Sequence, residues 1–268
     1  MSLGLVLDLL ALAALLPAAL VRWRQNDARD GLFYIALVLA AAGPLLWSVA
    51  QLGGVWRTGF AMSLWVTITV TMILFLGLTG TTRQAWRLTP LLVPYLLILG
   101  IFGTIWRRAP ELPISTTVPA GWLDAHIAFA VVTYGLLTLA AVAGAAVFLQ
   151  ERALKQKRQT SFTRLLPAIA DSEVLEVGLL TAAEIVLALG LVSGMAAQHF
   201  LDRPLLPFDH KTLLSVAAFV VIGLLLLARR VSGLRGQRVA RWALLAYLLL
   251  TLAYPGVKFV TDVLMAGS

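Results

Sequence analysis

Eight apolar stretches recur along this 268-residue chain, separated by short polar breaks. Each is about as long as the roughly 20 residues that an α-helix needs to cross a bilayer. They fall near residues 2–21, 31–52, 62–79, 89–106, 122–149, 175–198, 211–228 and 239–264. In hydrocarbon every backbone amide must find its partner within the protein, so only helices and closed barrels span a membrane. Barrel strands would read as short segments of alternating polarity, and no such alternation is present. The pattern therefore predicts an all-α, polytopic membrane protein of about eight transmembrane helices. Composition agrees, with 60% hydrophobic and only 13% charged residues, against about 25% charged in a soluble domain. The whole chain, 1–268, reads as one membrane domain with a four-helix N-terminal half over 1–106 and a four-helix core over 120–264. Asp8 inside the first stretch, and the lack of a basic leader before it, mark that stretch as a mature helix rather than a signal peptide.

The net charge of +8 raises the question of nucleic acid, but the cations sit in the breaks between apolar runs. The breaks after the first, third, fifth and seventh stretches hold fifteen Lys and Arg; those after the second, fourth and sixth hold five. The positive-inside rule then predicts both termini on the periplasmic side of a bacterial inner membrane, and makes the basicity a topology signal with no nucleic-acid partner implied. The chain has no cysteine, which excludes disulfides, thiolate metal sites and covalent haem attachment through CxxCH. Neither a phosphate-binding loop, a zinc-protease helix nor a nucleophile elbow is present, so an enzyme is not expected.

The three histidines, His126, His199 and His210, all fall on the predicted outer side although their helices run in different directions. Around them lie Trp106, Trp122 and Phe200, with Arg107, Arg108, Arg203 and Lys211 as cations. His126 shares a helix face with Ala130 and Thr133, and Gly190 and Gly194 form a GxxxG below His199, small residues that admit either a planar ligand or a close helix. This inventory suits non-covalent b-type haem: His126 and His199 as axial ligands of the iron, aromatic walls including Trp122, and Arg203, Lys211 or Arg107 for the propionates, with His210 as substitute or gatekeeper. A plain reading stands beside it, since interfacial His and Trp are common without any ligand. Zinc held by His199 and His210 with Asp202 and Asp209 is a weaker alternative, because the local spacing of a structural site is missing.

Three charges placed inside predicted helices are singled out, since ionisable groups there are costly and are read as functional by default. Of these Glu184 is expected to be the most buried, Asp8 lies in the outer part of the first helix, and Lys258 can pair with Asp262 at i,i+4. Tyr254-Pro255-Gly256 should kink the last helix. Asp171 or Ser172 is a candidate N-cap for the sixth, after a segment, 165–174, expected along the inner membrane surface.

A string of features carries a resemblance: Trp122-Leu-Asp-Ala-His126, Phe148-Leu-Gln-Glu-Arg-Ala-Leu-Lys155, Leu165-Leu-Pro167, the Gly190–Gly194 region, Phe208-Asp209-His210-Lys211-Thr212, Gly233-Leu-Arg-Gly-Gln-Arg238 and Ala253-Tyr-Pro-Gly-Val257. Over residues 120–260 these resemble the cytochrome c assembly family of haem-handling membrane proteins, the CcsA, CcmC and HemX type, and most of all its YpjD-like branch. The resemblance implies haem binding by His126 and His199 and a part in haem handling or transport, with haem, membrane lipid and another membrane protein as partners. It departs from the delivering members of that family. Their tryptophan-rich external loop ending in a WDPK-like sequence corresponds here to 196–211, which holds no tryptophan and keeps only Asp209 and Lys211. Two further readings remain: a haem-free scaffold that assists a partner transporter or ion-efflux protein, and a secondary transporter coupled through Glu184 or Lys258, for which the inverted repeats are lacking.

Overall fold

The computed structural model describes residues 3–21, 30–52, 57–107, 109, 112–113, 118–201, 204 and 209–264. Among them the helices are α1 (Leu3–Val21), α2 (Gly31–Leu52), α3 (Phe60–Thr81), α4 (Thr89–Ile105), α5 (Ala120–Lys155), α6 (Ser161–Leu165), α7 (Ile169–Phe200), α8 (His210–Ser232) and α9 (Gln237–Thr251). A 3₁₀ turn over Ala85–Leu88 leads into α4, and α9 continues through π-helical turns at Leu252–Gly256 and Val260–Leu264 around Val257–Phe259. A two-residue antiparallel pairing, β1 (Arg57–Thr58) with β2 (Leu112–Pro113), is the strand structure among the described residues. Eight helical segments are long and apolar enough to cross a membrane. The all-α, eight-span expectation holds, and the chain is a multi-pass membrane protein.

The helix ends differ from the apolar runs in an instructive way. The fifth and sixth spans, read as 122–149 and 175–198, are helices of 36 and 32 residues. The additional turns are written in good helix formers such as Gln150, Glu151, Arg152 and Lys155, which continue a helix after its apolar face has ended. For α7 the cap position is Ala168, with no side-chain cap, so neither Asp171 nor Ser172 serves as the N-cap. Asp171 instead lies in the first turn, where a carboxylate favours the positive end of the helix, and Ser172 is fully buried. The π-helical turn at Leu252–Gly256 contains Pro255, which answers the break expected there: proline lacks the N–H for the regular ladder.

The chain forms two compact units, one of residues 1–114, 159–167 and 258–268, the other of 115–158 and 168–257. Their bounds differ from the halves read at 1–106 and 120–264: the second unit closes at Val257, and the segments 159–167 and 258–268 group with the N-terminal helices.

In the first unit α1 packs on α2 and α4, and α3 lies against α2 and α4. Gly43 of α2 meets Ala14 of α1 so closely that a Cβ there would collide with it. Trp47 stacks on Trp65 with centroids 5.2 Å apart and donates from Nε1 to Asp8 Oδ1 at 2.6 Å. Arg107 Nη1 completes the group, 3.5 Å from Asp8 Oδ2. Lys258 and Asp262 pair at 3.6 Å, as their spacing implies.

In the second unit α5 packs along α7 and α9, and α8 against α7 and α9. The buried charge of α7 is Glu176, fully enclosed, whereas Glu184, expected to be deepest, is half-buried beside Gly223. Glu176 fits because Gly144 and Ala240 leave room: a Cβ on Gly144 would sit 2.5 Å from Glu176 Oε1 and 3.3 Å from the Ala240 Cα. Neither carboxylate oxygen has a hydrogen-bond partner among the described residues.

Candidate functional site

Pro119 precedes α5, and its carbonyl accepts from the backbone N–H of Trp122 at 3.0 Å and of Leu123 at 3.2 Å. Starting the helix there places Trp122 and His126 four residues apart, on one face and one turn from each other. That face meets the last third of α7. Trp122 donates from Nε1 to the Ser193 carbonyl at 2.9 Å, and His126 Nδ1 stands 3.0 Å from the Ser193 hydroxyl. One residue of α7 thus holds both side chains of α5.

The direction of the second bond follows from the serine. Ser193 Oγ donates to the Gly190 carbonyl at 2.9 Å, the back-bond that helical serines commonly make. A hydroxyl has one proton to give, so Oγ accepts from His126 and the imidazole carries its proton on Nδ1. The lone pair of the neutral ring is then on Nε2. A metal-ligating histidine is held in this way, with its other ring nitrogen tied to a fixed acceptor.

The GxxxG explains how close the two helices come. A Cβ on Gly194 would lie 3.0 Å from His126 Cε1, and one on Gly190 would lie 3.6 Å from the Phe129 Cβ. Of the two uses that small residues admit, the structure takes the close helix at Gly194, where the imidazole itself occupies the seam. The face is also rotated from the expected one. Thr133 is buried, but Ala130 is exposed and Phe129 makes the contact.

His199, Phe200 and Trp122 are exposed at the end of this seam, with the Trp122 and Phe200 rings edge to face at 6.3 Å. His199 lies six residues beyond Ser193, about 9 Å further along α7 at 1.5 Å per residue. His210 opens α8 and is exposed. The contact of Glu184 with Gly223 sets the α7–α8 register and brings His210 close to the level of His199. The three histidines therefore share one end of the second unit, spread over about 9 Å of helix axis.

The cations have separate places. Lys211 is exposed on the first turn of α8. Arg107 is engaged by Asp8 within the N-terminal unit, and Arg203, with Arg108 and Asp202, lies outside the described residues. Asp209 caps α8, its Oδ1 accepting from the Thr212 N–H at 2.7 Å. Partial burial pushes its carboxyl up, but the Thr212 hydrogen bonds and the nearby Lys211 and His210 charges prevail and hold it below the usual carboxylate range. Among the described residues no group of three or more His, Asp or Glu could hold a metal ion, so the zinc alternative gains nothing. Ser193 is the site residue that sequence reading missed. Its signal was a hydroxyl beside the second glycine of a GxxxG, at the depth of a histidine on the neighbouring helix.

Comparison with known proteins adds a family context. A family model described as "Cytochrome C assembly protein" matches residues 32–265. The chain is also 53% identical over 270 residues, covering 99% of its length and all of the relative's, to the "Uncharacterized 28.8 kDa protein in nifR3-like 5'region" of Azospirillum brasilense. No solved structure matches.

Proposed function

The chain belongs to the cytochrome c assembly protein family, and on that premise we propose that it holds b-type haem non-covalently where His126 and His199 stand, at the periplasmic face of a bacterial inner membrane. The observation that carries this reading is the His126–Ser193–Gly190 relay. It fixes the imidazole with Nε2 as the free nitrogen, the form an axial ligand of iron requires.

His199, exposed on α7, is assigned as the second ligand and His210 as its substitute. Trp122 and Phe200 offer apolar surface for a macrocycle, and Lys211 and Arg203 are the candidates for propionates. Arg107 is released from that role by its bond to Asp8. When bound, haem would supply a redox-active iron; the part of these residues is to ligate it, orient it and shield one side from water. We confine the role to holding haem and passing it on within the membrane. The delivering members' tryptophan-rich loop has no tryptophan here over 196–211, which argues against handing haem to an apocytochrome.

The test is an absorption spectrum, oxidised and dithionite-reduced, with a pyridine haemochrome assay, on protein from haem-replete cells beside His126→Ala and His199→Ala. We expect a sharp reduced α band and near-stoichiometric haem in the parent, both lost in His126→Ala. Colourless protein that also fails to take up added haemin would overturn the proposal in favour of a haem-free scaffold.

A further inference from the structure

At the end of the second unit opposite the histidines, the turn between α8 and α9 sits beside the end of α5 and encloses a pocket of about 610 Å³. Four cations line it: Lys155, Arg235, Arg238 and Arg241. Its one acidic lining residue, Glu151, pairs with Lys155 at 3.8 Å. The turn is fastened from two sides. Glu173 of α7 accepts the Gly236 N–H at 2.7 Å, and Gly236, at φ +67°, lies so close to the Glu151 carboxylate that a Cβ there would collide with it. Both nearby carboxylates are thus engaged in seating the turn or pairing with Lys155. Among the described residues none gives Arg235, Arg238 or Arg241 a hydrogen bond or ion pair.

The depth of the pocket decides what it faces. It lies beside the ends of three of the candidate membrane-spanning helices, at Lys155, Ser232 and Gln237, on the side where such helix ends approach lipid head groups. Three residues next in sequence to its lining, Leu154, Val231 and Trp242, are apolar and 56%, 79% and 50% exposed. A soluble anion would need only the cations; unpaired guanidiniums flanked by exposed apolar side chains fit a ligand with a phosphate at one end and acyl chains at the other. Orientation in the membrane requires cations on this side, but does not require them to converge on one concavity.

We propose that this pocket binds the phosphate of an anionic phospholipid head group, with Arg235, Arg238 and Arg241 as its donors and the exposed Val231 and Trp242 side chains nearby for the acyl chains. Basic pockets between helix ends bind such head groups elsewhere, and guanidinium matches phosphate in a two-pronged geometry. The site is independent of haem.

The experiment uses the full-length protein in nanodiscs of phosphatidylcholine, with and without phosphatidylglycerol or cardiolipin, read by native mass spectrometry of retained lipid and by thermal stability. Arg238→Gln with Arg241→Gln is compared with Lys157→Gln with Arg158→Gln, which removes the same charge from the neighbouring loop outside the pocket. Each pair leaves thirteen of the fifteen cations that set orientation. We expect anionic lipid to be retained and to stabilise the parent, its affinity to fall on the order of tenfold in the pocket variant, and the loop variant to behave as the parent. Arg235→Gln gives a second, milder variant that moves in the same direction. Equal loss in both double variants, or no preference for anionic lipid, overturns the proposal. Inorganic phosphate that alone stabilises the protein and displaces the lipid would overturn the choice of a lipid.

Discussion

Ser193 ties two side chains of α5 to one point of α7, and its hydroxyl sets which imidazole nitrogen is free. Ser193→Ala leaves His126 in place but removes the acceptor for Nδ1–H. Haem affinity should fall roughly 10–100-fold, the usual cost of losing such a partner, while Ser193→Thr, which keeps the hydroxyl, retains most of it; haemin titration of the purified protein decides this. Gly194→Ala acts more bluntly, because its methyl would lie 3.0 Å from the ring. In the other unit, Arg107→Met leaves Asp8 buried with only the Trp47 indole. Removing one partner of a buried pair costs about 3–5 kcal/mol, and Asp8→Asn in the same chain should return much of that, as thermal unfolding of the single and double variants would show. His126, Asp8 and the Lys258–Asp262 pair could be read from sequence because each stands out against an apolar background. Ser193 and Glu176 could not: a serine in a transmembrane helix looks like any small residue. Glu176, one position inside the apolar run, has no sequence signal of burial, because Gly144 and Ala240 of other helices give it its interior.

At the scale of elements, α8 shows a helix start whose stability depends on acidity. Asp209 is the N-cap, and Asp209→Ala should cost about 0.5–1 kcal/mol. Its carboxyl is held below the ordinary value in the folded state, so the folded form favours the charged cap. That contribution is present above the unfolded-chain carboxylate pKa and disappears as pH falls through the lower folded value. Parent and variant should therefore converge in thermal stability in acid and separate towards neutrality. The existence and order of the spans were legible because each carries its own apolar run. Their ends were not, since α5 and α7 run on through charged helix formers, and since Ala168, with no capping side chain, is where α7 begins.

For the whole molecule, eight crossings would return the chain to the side on which it began. The charge count predicts that side to be the periplasm, and the absence of cysteine makes the prediction easy to check: single cysteines can be introduced without background. Pro119→Cys, at the histidine end of α5, should react with a membrane-impermeant maleimide on intact cells, and Ser161→Cys only after lysis; the reverse pattern would invert the orientation. The first compact unit ends its N-terminal run at Ile114, within the polar break between the fourth and fifth spans. The membership of 159–167 and 258–268 in the first unit was not legible in the sequence, because packing between distant segments leaves no local periodicity to read.

α5 and α7 are longer than the hydrocarbon layer of a membrane is thick. Their 36 and 32 residues make rods of about 54 and 48 Å, against a hydrocarbon layer of about 30 Å. They meet at two levels, Trp122 and His126 at Ser193 and Gly144 at Glu176. A pair braced in this way behaves as a strut whose length is set by its own hydrogen bonds, so a change in the thickness of the surrounding lipid falls on the bilayer rather than on the spacing of those two levels.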